Sequence, residues 1–121
     1  MANGASSIKL IPTKFQSGSI TATGTSAAHG LPPDSDEVGI VFNIVSGSAA
    51  AITIKLQHSG DGGITWVDLA GASINSLIAA GTAMSFATTP NTGLLRINLS
   101  TLTTPASLVG EAQIIYGRKG K

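Results

Sequence analysis

Residues 52–69 read ITIKLQHSGDGGITWVDL. Ile52, Ile54 and Leu56 alternate with Thr53, Lys55 and Gln57, a period of two that marks a half-buried strand. A second strand pattern begins near Ile64. Between them lies a Gly- and Asp-rich turn, so the stretch is read as a β-hairpin. Gly60, Gly62 and Gly63 are expected to supply the positive φ that the bend needs. Asp61 can accept hydrogen bonds from nearby backbone N–H groups and lock it. Trp66, the single tryptophan, is expected to lie on the core as the return strand begins.

The same alternation recurs on both sides. Ile40, Phe42 and Ile44 share one face of Val38–Val45. Leu95, Ile97 and Leu99 share one face of Leu94–Thr101, with Arg96 and Asn98 opposite. In Leu108–Tyr116, Ala112, Ile114 and Tyr116 oppose Glu111, Gln113 and Ile115. Weaker strands are expected at Ser7–Lys14, Ser19–Thr25, Ile64–Leu69 and Ala83–Thr88. Turn clusters at 29–37, 46–49, 59–63, 88–93 and 103–107 separate them at short intervals. Ala72–Ala80 is the best candidate for a helical turn or a buried loop. The pattern predicts an all-β chain: one antiparallel β-sandwich, jelly-roll or Ig-like, of about eight strands over residues 1–121. Residues 1–7 and 117–121 are read as short arms.

Composition excludes several classes. The chain has 121 residues, of which 42% are hydrophobic and only 11% charged, so disorder is not expected. There is no cysteine, hence no disulfide scaffold, thiolate metal site or thiol chemistry. Apolar runs are too short to form a spanning helix, and no membrane association is expected. MANGASS at residues 1–7 has no charged region followed by an apolar one, so no signal peptide is expected. Ala, Gly, Ser and Thr together make up 58 residues. Over residues 1–117 four bases stand against six acids, and Arg118, Lys119 and Lys121 form a small basic tail. So few charges keep a free monomer poorly apart from its neighbours, which points to life in an assembly.

Candidate chemistry is sparse. Asp34, Asp36 and Glu37 cluster as oxygen ligands for a hard cation would, but the EF-hand spacing and its closing Glu are missing. The plainer reading is a solvated loop after Pro32 and Pro33. His29 and His58 are the only imidazoles, and both read as surface residues near turns. No serine sits in a G-x-S-x-G elbow, and no phosphate loop or H-E-x-x-H is present. Three tail charges without interleaved aromatics do not make a nucleic-acid surface. Arg96 faces away from the core, either as a plain surface residue or paired with an acid on a neighbouring strand or subunit. The expectation is therefore no enzyme, no metal, no cofactor, no nucleic acid and no small-molecule substrate.

Two resemblances attach to the hairpin. Ser59, Asp61, Gly63, Thr65 and Trp66 occupy every fixed position of the Asp-box, S-x-D-x-G-x-T-W. In the sialidase-like propellers that carry it, that motif is a structural hairpin away from catalysis. Here a single copy on so short a chain implies the hairpin without the propeller. The longer stretch HSGDGGITWVDLAGAS, residues 58–73, resembles small β-sandwich virion proteins of tailed bacteriophages. This second resemblance implies a non-enzymatic structural protein on the capsid surface of a virion, made in the host cytoplasm. The preferred subtype is a capsid decoration or cement protein, and the resemblance implies a homo-oligomer that bridges major capsid subunits. Segments 1–11 and 117–121 would be its reaching arms, with Arg118, Lys119 and Lys121 as partner contacts. A tail, neck or head-fibre component is the alternative in the same class, and a carbohydrate-binding module the alternative outside it.

Overall fold

The computed structural model describes residues 7–31, 37–75, 77–88 and 93–118, without the side chains of 7–17, 70 and 118. The strands are β1 (Ser7–Ser19), β2 (Gly24–Thr25), β3 (His29–Gly30), β4 (Glu37–Ser48) and β5 (Ala51–Ser59). They continue with β6 (Val67–Ile74), β7 (Ala79–Thr88), β8 (Leu94–Thr103) and β9 (Ala106–Arg118). Every pairing is antiparallel. One sheet has four strands in the order β1-β9-β4-β7. The other has five, β2-β8-β5-β6, with β3 also on β8.

The pairing is nested. β1 pairs with β9, β2 and β3 with β8, β4 with β7, and β5 with β6. Only the β5–β6 hairpin and the β2–β3 step stay within one sheet; every other connection crosses to the opposite sheet. With β2 and β3 counted as one interrupted strand, this is the eight-stranded jelly roll. It is not the Ig-like order, in which successive strands pair within a sheet.

Between the sheets lies a mainly aliphatic core with one aromatic ring among the residues named: Val38, Ile40, Phe42 and Ile44 from β4, Ile52, Ile54 and Leu56 from β5, and Leu95, Ile97 and Leu99 from β8. Ala112 and Ile114 of β9 close it. These are the alternating positions of the sequence, because the pleat sends every second side chain inward. At the sandwich edge the two sheets meet: the Ser85 hydroxyl of β7 donates to the Gly71 carbonyl of β6 and accepts from the Ser73 N–H.

Four expectations are corrected. Ala72–Ala80 is neither a helical turn nor a buried loop, but the end of β6, a crossing and the start of β7. Residues 46–48 are not a turn: they prolong β4 along β9 through register shifts, with Gly47 at φ 83°. Ser19–Thr25 contains strand only at its two ends, Ser19 in β1 and Gly24–Thr25 in β2. The arms are shorter than expected, because Ser7 pairs with Arg118 and Ile8 with Gly117, so residues 7–11 belong to a strand. Residues 1–6 and 119–121 lie outside the described residues.

Candidate functional site

The β5–β6 hairpin closes on two side chains. The Ser59 hydroxyl donates to Asp61 Oδ1 (2.8 Å) and accepts from the N–H groups of Gly63 (2.9 Å) and Asp61 (3.4 Å). Asp61 Oδ1 accepts further from the N–H groups of Thr65 (2.8 Å) and Ile64 (3.2 Å). Gly62 and Gly63 take the positive φ that the bend requires, at 80° and 98°. Gly60 does not, which corrects its expected role. Ser59 is fully buried, so its hydroxyl must find its partners inside the turn.

Donors around Asp61 stabilise its charged form. The Thr65 N–H leads, followed by the Ser59 hydroxyl, and together they hold the carboxyl at about 2, below the ordinary 3.8. A carboxylate of that kind is a poor general base near neutral pH. Its capacity is used within its own turn. The turn instead holds up an apolar tip, with Ile64 85% exposed.

Trp66 is not in the core. It is half-buried beside the hairpin, its indole N–H donating to the Gly63 carbonyl (3.0 Å). The Arg96 guanidinium lies over the ring, 4.3 Å from its centroid. The reason is the turn geometry: the indole closes the hairpin from outside, and β6 begins only at Val67.

Arg96 starts a chain of side chains across the outer face of the five-stranded sheet. Arg96 Nε donates to Gln57 Oε1 (2.9 Å), and Gln57 Nε2 donates to Asp68 Oδ1 (2.8 Å). Lys55 Nζ then bonds Asp68 Oδ2 at 2.9 Å. The Gln57 amide, with the Lys55 ammonium second, draws the Asp68 carboxyl below its usual range. Arg96 and Gln57 face each other in register, as do Gln57 and Asp68, so the strand pairing builds the chain directly. Arg96 thus meets an amide on the adjacent strand β5 and the ring of Trp66 just ahead of β6; the acid stands on β6, one strand further. The outward alternation of Lys55, Gln57 and Arg96 was the visible signal, while their register was not.

The remaining candidates are dispersed. His29 and His58 both face Leu95, on opposite sides of β8. Among the described residues, no three His, Asp or Glu side chains cluster as a metal site would need. Glu37 opens β4, whereas Asp34 and Asp36 lie outside the described residues. Arg118 ends β9 opposite Ser7; Lys119 and Lys121 lie outside the described residues. The fold and site define an all-β jelly-roll chain with a latched hairpin and a polar sheet face. No family model, no curated protein and no solved structure matches it.

Proposed function

We propose that this chain is a non-enzymatic structural protein of a phage particle, a capsid decoration or cement protein on the outside of the major capsid lattice. The observation that carries the reading is an eight-stranded jelly roll, an architecture used by viral capsid domains, built from a chain with only 11% charged residues. Its mechanism is mechanical. Each copy covers low-charge surface across junctions between capsid subunits, and many small contacts add by multivalency. Rigidity serves that role, because a hairpin tip fixed by its own hydrogen bonds loses little freedom on contact. A tail, neck or head-fibre position would use the same physics.

Cryo-EM of particles carrying this chain tests the reading. Density between capsid subunits is the expected result. Density on the tail alone would move the chain to the alternative position, and no density on any particle would overturn the virion reading. One observation favours a second class: Trp66 is half-buried rather than core, and jelly rolls also form lectin domains. Binding on a glycan array that is lost in Trp66→Ala would establish that carbohydrate-binding reading.

A further inference from the structure

The turn that closes the β5–β6 hairpin contains the only Asp–Gly pair in the sequence, Asp61–Gly62. Such a pair carries its own reaction. The side-chain carboxyl of Asp61 can join the Gly62 backbone nitrogen in a five-membered ring, and glycine puts no Cβ in the way of closure. Both residues are exposed, and an added Cβ on Gly62 would meet nothing within 4 Å. Neither burial nor neighbouring packing therefore holds the ring off.

The hydrogen bonds of the turn do. Asp61 Oδ1 accepts from the Ser59 hydroxyl (2.8 Å) and from the N–H groups of Thr65 (2.8 Å) and Ile64 (3.2 Å). Ring closure must swing the carboxyl carbon onto the Gly62 nitrogen, and an oxygen pinned across the turn to residues 64 and 65 resists that rotation. The backbone on the other side of the pair is held too, because the Gly63 N–H donates to the same Ser59 hydroxyl (2.9 Å). The leaving group adds a second restraint. An oxygen leaves as water only from the protonated carboxyl. The same donors keep Asp61 at about 2 instead of 3.8, so at neutral pH that acid form is about sixtyfold scarcer.

We propose that Asp61–Gly62 is a modification site gated by the Ser59–Asp61 latch, silent in the closed hairpin and converted to isoaspartate when the turn opens. In the open turn the Gly62 nitrogen attacks Asp61 Cγ. The N–C bond forms, the nitrogen gives up its proton, and the Cγ–O bond breaks as one oxygen leaves as water. The product is a cyclic succinimide. Water then adds at either ring carbonyl, which restores the mass of the starting chain. Opening at the main-chain carbonyl leaves isoaspartate: the chain now runs through Cγ, and the free carboxyl stands directly on Cα. No reactant besides water takes part. The step is one-way for the hairpin. An extra methylene lies in the backbone and the carboxyl arm is one bond shorter, so the bonds from the Ile64 and Thr65 N–H groups are not rebuilt. Local openings of a folded chain thus accumulate as a permanent change in the turn that carries Ile64.

Site-resolved mass spectrometry of the full chain stored at neutral pH tests it. Loss of water marks the succinimide, and fragment ions separate isoaspartate from aspartate at 61. Asn3–Gly4 changes mass on conversion and is read separately. Wild type in urea is expected to convert at least about tenfold faster than folded wild type. Folded Ser59→Ala should convert about fivefold faster or more than folded wild type, yet at the wild-type rate in urea. Ser100→Ala, at an exposed serine of β8, should leave the folded rate unchanged. In wild type alone, hydrogen exchange of the Thr65 amide should rise in step with conversion as sub-denaturing urea is added. Equal rates in folded and unfolded wild type, a folded Ser59→Ala no faster than wild type, or conversion that does not follow Thr65 exchange would overturn the proposal.

Discussion

Ser59→Ala separates a latched hairpin from one held by strand pairing alone. The substitution removes one hydroxyl that donates to Asp61 at 2.8 Å and accepts from the Gly63 N–H at 2.9 Å. Two such bonds contribute about 0.5–1.5 kcal/mol each, so the loss should be about 1–3 kcal/mol. Because the site is fully buried, water does not readily take the place of the hydroxyl. The variant should also raise the Asp61 pKa, since the Ser59 hydroxyl is the second-largest cause holding it at about 2. The sign for pH follows. A folded pKa near 2 against an unfolded 3.8 gives stability that is complete above pH 3.8 and is lost as pH falls towards 2. In Ser59→Ala that acid slope should flatten. Urea titrations from pH 2 to 5 read the stability, and NMR titration of the Asp61 carboxyl reads the pKa. A loss below about 0.5 kcal/mol with the pKa still near 2 would refute the latch.

Four further outcomes are expected. A double-mutant cycle of Trp66→Ala and Arg96→Ala should show a coupling of about 0.5–1 kcal/mol in urea unfolding, from the stack 4.3 Å above the ring. Gly62→Ala, at φ 80° with open space around it, should cost about 1–2 kcal/mol by thermal unfolding. Gly93→Ala should cost about 1–3 kcal/mol more, because its Cβ would stand 2.1 Å from the Ser59 carbonyl oxygen. Ile54→Ala, at a fully buried site between the sheets, should lose about 2–5 kcal/mol by denaturant titration.

Alternation made the core legible. Ile52, Ile54 and Leu56, and Leu95, Ile97 and Leu99, all point inward as their period of two requires. The β5–β6 hairpin was equally plain, because Ser59, Asp61 and two glycines meet local demands of one short turn. What needed the structure was non-local. The stretch 46–49 has turn composition, yet bulges carry β4 onward along β9 before the chain crosses to the other sheet. Trp66 was misplaced for a related reason. The side a residue takes after a turn depends on the turn's geometry, and a shift of one residue reverses it. Large apolar residues carry no mark of which surface they serve, so Trp66 looked like core.

The strand register also shows how the few charges are held. Lys55, Asp68 and Arg96 share one sheet face, and each is held by a neighbour there. Lys55 pairs with Asp68, while Arg96 reaches that acid only through Gln57. The opposite face places Val41, Met84 and Phe86 outward, where each remains at least partly exposed. Exposed apolar side chains scattered singly are ordinary, and here Gln113 stands opposite Val41 and Asn43 comes before Val45 on the same face. Glu37 and Glu111 stand on that face as well, so the few charges are divided between the two sheets, and a low total does not by itself choose a contact face.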